Sequence, residues 1–198
     1  AQVREGATLG ESCVIGRGAY VGTGVQMGHG CKIQNYALVY EPARLADGVF
    51  VGPAAVFTND HSPRAVNPDL TPKSASDWDP VGVTCEQGSS IGARAVCVAP
   101  VTIGAWAMVA AGATVVKDVP PHAPVAGMPA KRLAWVGRSG EKLLPASDGT
   151  DAWVCPTTGE WYIPDETSGG LQLASSPVTD APRPAELEDP DDKDGPTE

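Results

Sequence analysis

The chain has 198 residues, enough for one substantial domain and too few for two full ones. Gly (23 residues) and Pro (19) are abundant while aromatics make up 6%, which argues against a helical bundle or an aromatic-rich sandwich. A formal net charge of −10 disfavours nucleic acid as a partner, because phosphate binding needs a basic stripe.

From Val3 the chain repeats every six residues: Val3, Leu9, Ile15, Val21, Met27, Ile33, Val39, Leu45, Val51 and Phe57 are all apolar. Small or medium residues stand two positions earlier, at Ala7, Cys13, Ala19, Val25, Cys31, Ala37, Ala43, Val49 and Ala55. Gly often follows the apolar residue, as at Gly10, Gly16, Gly22, Gly28 and Gly52. An amphipathic helix needs apolar spacing near 3.6, which a six-residue period does not supply. Six residues instead make a short strand and a tight corner, with the branched residue inward and Gly easing the backbone at the bend. Three such sides close a triangular coil of about eighteen residues, and coils stack at roughly 4.8 Å so that like residues form inner columns. The expected fold is therefore an all-β solenoid, a parallel β-helix over residues 1–118.

The phase breaks between Phe57 and Cys85, which are 28 residues apart. Residues 58–84 are polar, rich in Pro and contain Trp78, and are read as one long loop inserted on a corner, functional rather than disordered. A second run then obeys the same rule at Cys85, Ile91, Cys97, Ile103, Val109 and Val115, preceded by Val83, Ser89, Ala95, Val101, Ala107 and Ala113. The hexads of the two runs make five or slightly more coils. Residues 119–164 form a C-terminal extension: Pro120 and Pro121 enforce an extended exit, a short helix is expected around Ala130 to Val136, and Lys142 to Tyr162 make a small hairpin or cap. Residues 165–198 carry ten acidic and two basic side chains and are expected to be a disordered tail, which leaves the remaining chain close to neutral and able to accept an anionic substrate.

No stretch is long and apolar enough to span a membrane and the amino terminus lacks a charged-then-apolar signal, so a soluble cytoplasmic protein is expected. Cys13, Cys31, Cys85 and Cys97 fall on small or inward repeat positions and Cys155 stands apart. All five are read as reduced thiols rather than as a disulfide framework.

Four segments resemble the hexapeptide-repeat acyltransferases, and specifically the branch that N-acetylates 3-amino sugars linked to UDP or dTDP. GCKIQNYALVYEPA is similar to the family's sugar-binding rungs, FTNDHSPRA to its loop entry, IGARAVCVAPVTIGAWAMVAAGATVVKDVP to its carrier-binding coils and PVAGMPAKR to its closing turn, where Met128 replaces a more usual Asn. The likeness covers roughly residues 5 to 137. The repeat alone marks the superfamily, while the QN…YE and TND…PRA combination is more specific. The resemblance implies a left-handed β-helix, an exception to the right-handed crossover rule. It also implies a homotrimer with active sites between subunits, acetyl-coenzyme A as the acyl donor and a nucleotide-linked amino sugar as the acceptor. No metal, membrane or nucleic-acid partner is expected.

By the same resemblance Asn59 orients the acceptor amine, a task for which an uncharged amide acceptor is suited. His61 is the alternative, as a general base beside the amine. Asn35, Tyr40 and Glu41 match substrate-facing positions, and Arg64 is available for a pyrophosphate or sugar carboxylate. For each of these the plain alternative is a solvated corner or loop residue. Gly92, Ala110, Ala111 and Gly112 would let the pantetheine arm approach the backbone, although the coil demands small residues there in any case. Lys117, Lys131 and Arg132 would meet the coenzyme phosphates. His29 on a corner is a weaker base candidate, and His122 after a Pro pair is read as structural.

Some relatives carry a tail with two Cys pairs resembling a zinc ribbon. Here WVGRSGEKL and VCPTTGEWY keep the outline with Cys155 alone, and one thiolate cannot build a four-ligand site, so no zinc is expected. Two other classes compete with acyl transfer. A metal-dependent hydratase on this fold would need three converging His, and His29, His61 and His122 lack the close pair such a site uses. A non-catalytic solenoid would bind a partner without binding coenzyme A. Within acyl transfer, a 4-amino sugar, an amino acid or an antibiotic is the alternative acceptor.

Overall fold

Strands of two or three residues alternate with tight corners from the first residues onward, as a six-residue period requires. In the computed structural model, which describes residues 1–74 and 76–175, the first run supplies β1 (Gln2–Val3), β2 (Thr8–Leu9), β3 (Val14–Ile15), β4 (Tyr20–Val21), β5 (Gln26–Met27), β6 (Lys32–Ile33), β7 (Leu38–Val39), β8 (Arg44–Leu45), β9 (Phe50–Val51) and β10 (Val56–Phe57). The second supplies β11 (Val83–Cys85), β12 (Ser90–Ile91), β13 (Val96–Cys97), β14 (Val101–Ile103), β15 (Met108–Val109) and β16 (Thr114–Val115). Then follow β17 (Pro124–Ala126), β18 (Lys131–Arg132), β19 (Leu144–Pro145), β20 (Trp153–Val154), β21 (Trp161–Asp165) and β22 (Gly170–Leu173).

Every third strand stacks in parallel, which gives three flat faces. The first is β1-β4-β7-β10-β13-β16, the second β2-β5-β8-β11-β14, and the third β3-β6-β9-β12-β15-β17, closed by antiparallel β18. The Ile103↔Val119 bridge adds a further rung to the second face. This is a left-handed parallel β-helix of hexapeptide repeats with one inserted loop and a small C-terminal extension.

Inner columns form as the period predicts. Val21, Val39, Phe57, Cys97 and Val115 stack beneath the first face with no solvent exposure, and Ala19, Ala37, Ala55, Ala95 and Ala113 fill the corner beside them. Partners advance by 18 residues per coil, as in Val21↔Val39, except across the loop, where Phe57 pairs with Cys97, and in the shorter last coil, where Val109 pairs with Val125. The excursion therefore leaves the columns in register: Leu45 lies under Cys85 and Val51 under Ile91. The thiols of Cys31, Cys85 and Cys97 are buried, and burial pushes Cys85 up and Cys97 up to about 12. They are unionised core residues, as expected.

The Gly that follows the apolar residue serves a purpose other than the expected easing of the bend. A Cβ on Gly10 would lie 2.5 Å from the Gly28 carbonyl carbon, and one on Gly16 would lie 2.6 Å from the Asn35 amide nitrogen. These positions are small because the next coil's backbone rests on them. The left-handed bend comes two residues later, and it is not reserved for Gly: Tyr36 (φ 62°) and Trp106 (φ 58°) occupy it, each ring lying over a Gly of the neighbouring coil, Gly18 and Gly88.

Two expectations for the C-terminal extension need correction. No helix forms around Ala130 to Val136, because the backbone amides there are taken by the last coil: Ala130 donates to Thr114, Leu133 to Pro124 and Val136 to His122, at 2.8–2.9 Å. The acidic segment is also structured further than expected. A four-stranded antiparallel sheet, β19-β20-β21-β22, runs to Leu173 around Leu143, Cys155, Tyr162 and Leu171. The rest of the proposed disordered tail, 176–198, lies outside the described residues. No helix among the described residues is long and apolar enough to cross a membrane.

Candidate active site

The three corners sort the candidate residues. The corner between the first and second faces carries Tyr40, Glu41, the loop entry at Asn59, and Lys117. The corner between the third and first faces carries Asn35, Gly92, Ala110, Ala111 and Gly112. The remaining corner, between the second and third faces, holds His29 and His122. The acceptor-side set (apart from Asn35) and the donor-side small residues thus border the same face, the first, on its two opposite edges. One side of the triangle separates them, a span of up to roughly 20 Å for six extended residues. That face is outwardly apolar and half-buried along Tyr20, Leu38, Val56 and Val96.

On the acceptor edge, the rings of Tyr20 and Tyr40 meet at 5.0 Å with an interplanar angle of 44°. Glu41 differs from the comparable corner residues. Asp47 Oδ1 accepts from the His29 amide at 2.7 Å, and Asn35 Oδ1 from the Arg17 amide at 2.8 Å, each tying one coil to the one below. Glu41 Oε2 is shut off from solvent beside Gly22 and has no hydrogen-bond partner. A buried acceptor without a donor costs about 1–3 kcal/mol, and unlike those of Asp47 and Asn35 this oxygen adds no tie to the coil below. Asn35, by contrast, is used as a structural tie, on the other corner from Tyr40 and Glu41.

The loop starts as a continuation of the acceptor edge. Thr58 Oγ1 accepts from the Ala99 amide at 3.0 Å, and the Asn59 carbonyl accepts from the Val81 amide at 3.0 Å, which closes the base of the excursion. Asn59 itself is half-buried, whereas His61 and Arg64 are exposed. Further out, the Val66↔Pro72 bridge folds the loop back on itself, bringing Arg64 and Ala65 beside Lys73 and Ser74. With Asp60 and Trp78 these residues line an open cavity of about 390 Å³. Of this set only Arg64 was singled out as a binding residue from the sequence. Lys73 could not be, since nothing in the spacing of a structureless stretch announces a local fold-back.

On the donor edge Gly92 is packed against the next coil: a Cβ there would lie 2.6 Å from the Ala110 carbonyl carbon. Ala110, Ala111 and Gly112 are exposed, and a Cβ on Gly112 would meet nothing within 4 Å. Lys131 and Arg132 lie exposed on β18, next to this edge, with the Arg132 guanidinium 4.1 Å above the Trp135 ring. Lys117 is exposed beyond β16, across the first face from Gly112.

The histidines divide clearly. His29 is a corner tie, its Nδ1 accepting from the Glu11 amide at 3.1 Å. His122 is buried, with Nδ1 2.9 Å from the Val136 carbonyl and its ring edge-on to Tyr162 at 4.8 Å. Burial lowers its pKa below the usual value, so it is held neutral. His61 alone is an exposed loop imidazole. Among the described residues no group of three His, Cys, Asp or Glu side chains is placed to hold a metal ion. Around Cys155 the ribbon outline persists as hydrogen bonds, with Ser139 Oγ 3.3 Å from the sulfur.

Residues 6–40 match the model described as bacterial transferase hexapeptide (six repeats), and residues 82–117 the model described as hexapeptide repeat of succinyl-transferase. Serine acetyltransferase 2 of Arabidopsis thaliana is 38% identical over 105 residues, covering 52% of this chain and 31% of its own. The dTDP-3-amino-3,6-dideoxy-alpha-D-galactopyranose 3-N-acetyltransferase of Aneurinibacillus thermoaerophilus is 43% identical over 58 residues, covering 29% of this chain and 30% of its own. The chain thus spans about a third of the length of the curated relatives it matches. Among solved structures, a mutant of AntD, an N-acyltransferase from Bacillus cereus in complex with dTDP and coenzyme A, superposes with a TM-score of 0.57 at 18% identity, over 67% of this chain and 74% of that one. At that identity the likeness is one of fold.

Proposed function

Because this chain belongs to the hexapeptide-repeat family of left-handed β-helix proteins, we propose that it is an acetyl-coenzyme A-dependent N-acetyltransferase acting on the 3-amino group of a UDP- or dTDP-linked sugar. The observation that carries this reading is the placement of Tyr40, Glu41 and Asn59 on one edge of an apolar outer face and of the small donor-side residues on the other. Packing the first faces of neighbouring copies around a three-fold axis brings one copy's acceptor edge against the next copy's donor edge. The active site then lies between subunits of a homotrimer. The short match to a 3-amino-sugar N-acetyltransferase lends support from the sequence side.

In this site the neutral sugar amine attacks the thioester carbonyl, a C–N bond forms, the C–S bond breaks, and the amine proton leaves with the coenzyme A thiolate. A thiolate is a fair leaving group and an amine a fair nucleophile, so alignment supplies much of the rate. The Asn59 side-chain oxygen accepts an N–H of the amine and fixes its approach, while the Glu41 carboxylate, on the same edge, takes a sugar hydroxyl. Lys131 and Arg132 meet the coenzyme phosphates near the donor edge. Arg64 meets the pyrophosphate of the acceptor.

A second reading is favoured by one finding, the match to serine acetyltransferases over half of this chain. A hydroxyl acceptor needs a general base more than an amine does. With His29 tied to a backbone amide and His122 buried, that base would be His61. Thiol release from acetyl-coenzyme A, measured against a panel of UDP- and dTDP-3-amino sugars with L-serine alongside, separates the two. Release with an amino sugar, cut roughly 10- to 100-fold in Asn59→Ala, is the expected result. Release with serine alone, abolished by His61→Ala, would establish the second reading, and coenzyme A binding with no release would move the acceptor elsewhere.

A further inference from the structure

The cavity inside the loop excursion has a lining that combines cationic groups with an aromatic surface. Asp60, Arg64, Ala65, Lys73, Ser74 and Trp78 enclose about 390 Å³. Its shape is fixed locally. The Val66↔Pro72 bridge and the Lys73 amide donating to the Ala65 carbonyl at 3.1 Å hold the two cationic residues on neighbouring segments. The turn at Asp77, whose carboxylate accepts from the Ser74 amide at 2.6 Å and the Ser74 hydroxyl at 2.7 Å, sets the place of Trp78. Those bonds engage the Asp77 carboxylate. Arg64 gives one N–H to the Pro63 carbonyl at 2.8 Å, and among the described residues neither Arg64 nor Lys73 forms a salt bridge.

We propose that this cavity is the nucleoside-diphosphate subsite of the acceptor, with Trp78 stacking the pyrimidine, Arg64 and Lys73 holding the diphosphate, and Asp60 accepting a ribose hydroxyl. The assignment rests on the nucleotide-sugar reading of the active site and adds Lys73, Trp78 and Asp60 to it. The chemistry of the lining selects the ligand. Two cations on adjoining segments match a diphosphate better than a monophosphate, and a guanidinium gives paired bonds to phosphate oxygens. An indole face accepts any base by stacking, which is worth about 1–3 kcal/mol. Asp60 follows Asn59 directly, so a nucleotide held here presents its sugar to the acceptor edge.

The test uses the intact protein and three ligands, UDP, dTDP and uridine, titrated calorimetrically. Wild type binds both diphosphates. In the Arg64→Gln/Lys73→Gln double variant UDP and dTDP weaken roughly 10-fold or more, while uridine is unchanged. Trp78→Ala weakens all three by a similar factor, and Trp78→Phe, which keeps a stacking face, restores most of it. Thermal unfolding of each variant checks that the chain remains folded. Tight UDP or dTDP binding that is indifferent to these substitutions would overturn the subsite and leave the proposed reaction standing. Absence of diphosphate binding by wild type, with acetyl transfer to serine intact, would overturn both.

Discussion

At the residue scale, the two glycines assigned to the donor edge are small for different reasons, and this separates packing from ligand approach. A methyl on Gly92 runs into the backbone of Ala110 and Ala111, neither of which can move without disturbing the coil above. Gly92→Ala should therefore lower stability by about 1–3 kcal/mol, seen as an earlier unfolding transition. Gly112 (φ 70°) has open space around it, and Gly112→Ala should cost about 1 kcal/mol through backbone strain alone. Its effect should fall more on the KM for acetyl-coenzyme A than on stability. Asn35 and Asn59 make a similar pair. Asn35→Ala removes a tie to the Arg17 amide and should cost about 1 kcal/mol of stability, whereas Asn59→Ala should leave stability alone and lower kcat. The sequence places Asn35 on a substrate-facing rung, because a repeat tells which residues sit at corners and not whether a corner side chain bonds the coil below.

At the element scale, the solenoid was legible because a single period controls every strand. Ile33, Val51 and Ile91 are fully buried where the count by six places them. The segment before the cap was not legible, because it is specified by contacts with the last coil. Ala130 to Val136 has helical composition, but its amides bond to Thr114, Pro124 and His122 instead. The cap docks through the same residues: His122 holds Val136 and packs on Tyr162, and Arg138 pairs with Glu160 while its amide donates to the Tyr162 hydroxyl at 2.9 Å. A pH dependence follows from His122. Its folded pKa is depressed below 6.5, so as pH falls through 6.5 the unfolded chain takes up the proton first and the folded state loses stability. Unfolding temperatures followed from about pH 8 down to about pH 5 should therefore fall below pH 6.5, and His122→Gln should flatten that part of the curve. An unaltered slope in the variant would mean another group controls it.

At the scale of the whole molecule, the account turns on the first face. Its outward residues Leu38, Val56 and Val96 are half-buried and apolar, and both candidate edges adjoin it. A charge placed at its centre, as in Val56→Asp, should dissociate the assembly in sedimentation and remove acetyl transfer together, with the isolated chain still folded. The central claim, that acetyl transfer occurs at a site shared between copies, is tested most directly by mixing two impaired chains. Asn59→Ala damages the acceptor edge and Ala111→Trp fills the donor edge, and each alone is expected to keep about a tenth of the activity or less. Co-expressed and assembled at random, they should regain about a quarter of wild-type activity per site, since one site in four joins an intact edge from each. No recovery in mixed assemblies of confirmed composition would place both edges of each site in a single chain and contradict the account.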